Sequence, residues 1–285
     1  MNGLYTAIRA ELFVALRSFS SKLVVIAPAT ITLLQYLLTK LAETGQAARD
    51  NLLGNSSFDA ALADSAYGYF VDGVKTGLTI LGLLLVAQAA YSFSYERDLG
   101  TLRHLFIRRA SRPSVVLAKL VNLHVQALLS ICLLLSLCWF VAGMLWEYGP
   151  VVEDGFELIS AAEIRTEIGA GLTLALLPLP AAIAFGLLVS VSAQSATQAV
   201  TTALGLTLAM DILKAMLGDF SSYLYASFQP SLLDQSYLQD VSRLVRGYSD
   251  VLINERVQTL NLWVPIPTML LLLAMTLIIV RWKKV

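Results

Sequence analysis

Between Ile168 and Met210 the chain runs 43 residues without a charged side chain. As one straight helix, rising 1.5 Å per residue, that run would be about 65 Å long, roughly twice the ~30 Å hydrocarbon core of a bilayer. It therefore has to fold back. The polar cluster Ser190, Ser192, Gln194, Ser195, Thr197 and Gln198 marks the turn, which divides the run into two membrane spans at about 168–190 and 197–217.

Four further charge-poor stretches give spans at about 22–41, 74–95, 115–146 and 260–281. The expectation is an all-α polytopic membrane protein with six transmembrane helices, forming one transmembrane domain over residues 1–285. Composition agrees: 57% of residues are hydrophobic and 14% charged, with a mean hydropathy of +0.70, against about 25% charged in a soluble domain. Lys+Arg and Asp+Glu are 20 each. That balance argues against a nucleic-acid partner, which would be met by a basic face.

An even number of spans puts both termini on one side. Twelve Lys and Arg residues fall in the N-terminal segment, the link between spans two and three, and the tail, whereas seven are spread over the far longer opposite loops. By the positive-inside rule both termini are cytoplasmic. Outer loops then cover about 42–73, 147–167 and 218–258. The first segment carries Arg9, Glu11 and Arg17 spread along it, unlike a cleavable signal peptide, so the chain is expected to keep its start.

Residues 3–20 form a separate element. Leu4, Ile8, Leu12, Ala15 and Phe19 recur at helical steps, as in an amphipathic helix lying in the cytoplasmic interface. The alternative is a cytoplasmic extension of span one. In the last outer loop Pro230 can open a helix with Leu233, Tyr237, Val241, Leu244, Tyr248 and Val251 along one face. Pro178 and Pro180 should kink span four, where Ala182, Gly186 and Ser190 make a small-residue stripe for close helix packing. Cys132 and Cys138 lie on different faces of one span and read as buried, unpaired thiols.

Catalytic signatures are missing. There is no His-Glu-x-x-His, no Gly-x-Ser-x-Gly, and no Gly-rich loop ending in Gly-Lys-Ser/Thr. Neither a metal nor a cofactor is expected on this chain. Span five carries Asp211 and Lys214, three apart and able to pair. Charges within a span are costly, so the two either line the exit side of a path or form a structural pair near the outer headgroups, with Lys214 snorkelling outward.

The second cytoplasmic link, 96–114, is the most informative stretch. It reads Glu96-Arg97-Asp98-Leu99-Gly100-Thr101-Leu102-Arg103, then Ser111-Arg112, with Lys119 at the next span. Gly100 allows a sharp change of direction and Thr101 can cap a following short helix. An ordinary basic loop that sets topology and meets anionic lipid headgroups would need neither. The stretch resembles permeases of type-2 ATP-binding-cassette exporters in its acidic residue, Gly-Thr-Leu-Arg, Ser-Arg and Lys. The opening Ala10-Glu11-Leu12 with Arg17, the six spans and the long outer segment between spans five and six are similar to that family too. One departure is Arg109, where the family usually has proline.

The resemblance implies a separate ATPase subunit holding ATP and Mg, a second permease copy in a homodimer, and outward movement of a substrate across the cytoplasmic membrane. It assigns coupling to Glu96, Gly100, Thr101, Leu102, Arg103, Arg112 and Lys119. The runner-up is a non-transporting membrane scaffold or sensor that holds a partner through its outer loops, and a membrane enzyme comes third.

Overall fold

The computed structural model describes residues 2–53, 65–101, 111–153, 156–227, 229–232, 236–246 and 255–282. In chain order these form α1 (Asn2–Arg17), α2 (Phe19–Leu53), α3 (Ala66–Asp98), α4 (Arg112–Leu145), β1 (Val151–Glu153), β2 (Phe156–Ile159), α5 (Ala161–Leu176), α6 (Leu179–Ser192), α7 (Ala196–Met216), α8 (Tyr237–Val245), α9 (Glu255–Trp263) and α10 (Pro265–Trp282). A 3₁₀ turn, Gly218–Tyr223, follows α7. Six stretches are long and apolar enough to cross a membrane: Phe19–Asp50, Ala66–Asp98, Arg112–Leu145, Ala161–Ser192, Ala196–Lys214 and Thr259–Trp282. The protein is an all-α polytopic membrane protein apart from one small hairpin.

α3 is the centre of the bundle. It packs against α2, α4, α6, α7 and α8, and Val74, Leu81, Leu85 and Ala89 along it are fully buried. α6 packs tightly on it at Gly186. A Cβ there would sit 2.6 Å from Ala89 Cβ and 2.8 Å from the Val86 carbonyl, so only glycine fits. One turn on, the Ser190 hydroxyl accepts from the Phe93 and Ser94 N–H groups at 3.2 and 3.0 Å. The small-residue stripe is thus consumed within the chain.

Several boundaries differ from the sequence expectation. Residues 42–53 and 66–73, expected within an outer loop, are helical. α2 and α3 are about 52 and 50 Å long and project well past an apolar core. Glu43 holds the extension together. Its carboxylate accepts from Tyr69 Oη at 2.5 Å and Trp146 Nε1 at 3.0 Å and pairs with Lys40 at 3.1 Å. Tyr69 stacks on Trp146 with ring centroids 3.9 Å apart. In the expected loop 147–167, β1 and β2 pair antiparallel, and α5 starts at Ala161. Ser160 and Glu163 close a reciprocal capping box there, which is why the helix begins before the apolar run does.

Span four is two helices. Pro178 has no N–H to give the Leu174 carbonyl, and the helix breaks between α5 and α6. The orphaned Leu174 oxygen accepts instead from Asn261 Nδ2 on α9 at 2.9 Å, and Asn261 is buried. The turn to α7 is short, Ala193–Ser195, because Ser190 and Ser192 bond within the helical region.

The last outer segment also departs from expectation. Its helix starts at Tyr237 rather than Pro230 and buries Tyr237, Leu238, Val241, Ser242 and Val245 against α3 and α5. Leu244 is half-buried. Leu233, Tyr248 and Val251 lie outside the described residues. Asp72 on α3 accepts from Ser242 at 2.7 Å and pairs with Arg246, Lys75 donates to Gln239, and Tyr237 donates to Glu167 at 3.0 Å. Of the two cysteines, Cys138 is buried but Cys132 is exposed.

Candidate functional site

The residues marked by the sequence begin at the end of α3 that leads into the 96–114 link. α3 stops because Gly100 adopts φ +72°, a left-handed conformation natural to glycine after a helix. The Leu99 and Gly100 N–H groups turn back to the Tyr95 and Arg97 carbonyls at 3.0 and 2.9 Å. The Thr101 hydroxyl donates to the Glu96 carbonyl at 3.0 Å. Thr101 therefore satisfies the end of α3, where the sequence pointed to a cap on the following helix. Leu102 and Arg103 lie outside the described residues. Arg112 is the first residue of α4, and the Ser111 hydroxyl beside it accepts from Ser114 N at 3.3 Å as the cap.

Lys119 sits two turns into α4 with a side chain only 3% exposed. Its Nζ lies 2.8 Å from Glu11 Oε1 on α1 and 2.6 Å from Glu96 Oε1 on α3. Three elements far apart in sequence thus meet on one ammonium. The sequence marked Glu96 and Lys119 separately and gave Glu11 no partner. α1 turns Leu4, Ile8, Leu12 and Ala15 toward the bundle, along with Glu11, while Phe19 is exposed. A break at Ser18 separates α1 from α2, which allows α1 to lie along α4.

Next to Glu96, two residues that the sequence reading passed over reach the opposite way. Arg97 Nη1 donates to the Ala193 carbonyl at 2.6 Å. Asp98 Oδ2 accepts from Ala196 N at 2.6 Å, at the first turn of α7, where a carboxylate is favoured by the helix dipole. Their signal in the sequence was only that charged residues continue to the last turn of an apolar helix. The end of α3 is therefore tied to α1 and α4 through Glu96 and to the α6–α7 turn through Arg97 and Asp98.

The second candidate, Asp211 with Lys214, lies elsewhere. Lys214 Nζ is 3.3 Å from Asp211 Oδ1, and the side chains are 1% and 8% exposed. Lys214 also donates to the Ala226 and Gln229 carbonyls at 3.3 and 3.5 Å. It points into the protein and does not snorkel. The Gln229 side chain seats over Gly82, where a Cβ would lie 2.3 Å from its nitrogen. The pair holds the connector after α7, whose Gln229 rests on the middle of α3. The cluster at the end of α3 and the polar pair are thus two separate sites. Among the described residues no three His, Cys, Asp or Glu side chains gather as a metal group would.

Comparison with known proteins gives the frame for this geometry. No curated protein and no solved structure matches the chain. A family model described as "ABC-2 family transporter protein" matches residues 5–281. Membrane components of that family work with ATP-binding subunits and are not themselves the ATPase. With six apolar helices in place and nearly the whole length matched, the chain belongs to the ABC-2 transporter family and is a transmembrane subunit of an ATP-binding-cassette transporter.

Proposed function

We propose that this subunit is an exporter permease of the cytoplasmic membrane, working as a homodimer with two copies of a separate ATPase that supplies the ATP and Mg chemistry. The 96–114 link, with Glu96, Gly100, Thr101, Leu102, Arg103, Arg112 and Lys119, is its coupling element. Both termini face the cytoplasm, and α1 lies in the inner interface with its outward apolar residues, Tyr5, Phe13 and Leu16, among lipids.

The observation that carries the reading is the double anchoring of the end of α3. A push on the link is delivered through Lys119 to α1 and α4, and through Arg97 and Asp98 to the α6–α7 turn. An ordinary basic loop needs no such rigid root. Arg103 provides a guanidinium suited to bidentate contact with a carboxylate of the ATPase. Arg103→Glu should abolish ATP-driven transport and weaken copurification of the ATPase about tenfold or more, equivalent to one lost charge-assisted contact. Arg108→Gln should change both much less. If Arg103→Glu leaves ATPase binding and activity intact, the scaffold reading takes over.

Orientation is tested separately. In a background with Cys132 and Cys138 replaced, cysteines at Ser57 and Asp154 should react with an impermeant thiol reagent in intact cells, and one at Arg108 should react only after permeabilisation. The reverse pattern would invert the topology.

A further inference from the structure

Beside the Lys119 junction a cavity of about 220 Å³ opens between α1, the start of α2, α3 and α4. That is about ten times or more what one water requires. Glu11, Glu96 and Lys119 form one end, and their formal charges leave a net negative charge there. Among the described residues, Glu96 Oε2 is buried without a hydrogen-bond partner. Asn122 on α4, 8% exposed, lines the same cavity, and its Oδ1 likewise has no partner. One turn further along α4, Gln126 is 4% exposed with both amide atoms unpartnered. Unsatisfied buried acceptors are uncommon and costly, and two of them beside a net negative charge favour a donor that carries positive charge.

The other walls fit that ligand. Tyr91 and Tyr95 line the cavity with their rings stacked, centroids 4.5 Å apart, and aromatic faces attract ammonium groups. Val14, Ala15 and Leu123 give an apolar flank on the α1 side. The volume suits a headgroup and leaves the rest of a longer molecule to lie outside.

We propose that this cavity binds the protonated amine of an amphiphile, with Glu96 and Asn122 accepting from the ammonium and the apolar part leaving past α1. The inference rests on the transport reading only for its direction, in which the site would receive a substrate from the inner leaflet or cytoplasm.

The purified chain, without any ATPase, should be titrated by native mass spectrometry with two matched pairs: phosphatidylethanolamine against N-acetyl phosphatidylethanolamine, and dodecylamine against dodecanol. The member that carries a protonated amine in at least one pair should bind about tenfold tighter, the effect of one charge-assisted hydrogen bond. Asn122→Leu should remove that preference. Ala15→Phe, which fills the cavity from α1, should do the same and decides the matter alone if Asn122→Leu fails to fold. Preference within the lipid pair names a membrane lipid as the source, and preference within the alkyl pair alone names a soluble amphiphile. Equal binding within both pairs, or an undiminished preference in a folded variant, overturns the proposal. Because no ATPase is present, a failed amine site leaves the coupling reading standing, and a failed Arg103 test leaves the amine site standing.

Discussion

Lys119→Met should be among the most damaging single substitutions in this chain. It removes the ammonium between Glu11 and Glu96 and leaves two carboxylates facing each other, both largely buried. Breaking a buried ion pair by removing one partner costs about 3–5 kcal/mol, which for a domain of this size lowers the melting temperature by roughly 6–20 °C. Thermal unfolding of the detergent-purified chain reads that loss. Glu11→Gln, Glu96→Gln and Lys119→Met combined should recover most of the stability, because no charge is then stranded. If the junction transmits motion, the triple variant will still lack ATP-driven transport. Lys119→Met with unchanged melting would mean that the three groups are solvated and incidental, and a triple variant with full transport would mean that they only hold the fold.

The second large effect is expected at Asp211. Asp211→Asn strands the Lys214 cation, whose other contacts are the Ala226 and Gln229 carbonyls at 3.3 and 3.5 Å. The predicted loss is again about 3 kcal/mol or more, seen as reduced yield and a lower melting temperature. Asp211→Asn with Lys214→Met should be milder than the single change, since a neutral side chain can occupy the space without a charge to satisfy. Equal damage from both would show that a stranded cation is not what the single change costs. Because this pair is remote from the Lys119 junction, the two sets of variants should combine additively.

Much of the architecture was legible because lipid imposes simple rules. Charge-free runs marked six crossings, and a 43-residue run of them had to turn back. The turn was placed a few residues too broadly, since Ser190 and Ser192 look like loop residues but spend their hydroxyls inside helices. Outer segments were the poorest part. Polar residues such as Glu43 read as loop, yet Tyr69 and Trp146 hold that carboxylate and keep α2 helical to Leu53. Those partners are 26 and 103 residues away, and nothing local announces them. The same holds at the candidate site. Glu96 and Lys119 stood out as charges at the ends of apolar spans, but their meeting with Glu11 depends on α1 folding back along α4. The break at Pro178 was legible from proline chemistry alone. Its rescue by Asn261 was not, because any donor with the right reach would serve.

The packing of α8 over α3 has a consequence for how the protein is made. Asp72 emerges from the ribosome 174 residues before Arg246, the cation it pairs with. At about 5–20 residues per second, that interval is roughly 9–35 s. Throughout it, Asp72 sits on the nascent α3 with Ser242 and Arg246 not yet synthesised, so it must be kept in contact with water while the intervening spans insert. α3 can gather α2 and α4 early, but the end carrying Asp72 closes only after synthesis has reached α8. Ribosome-stalled chains ending before residue 236 should therefore leave that end of α3 open to protease and to solvent exchange, even when the first three spans are already assembled.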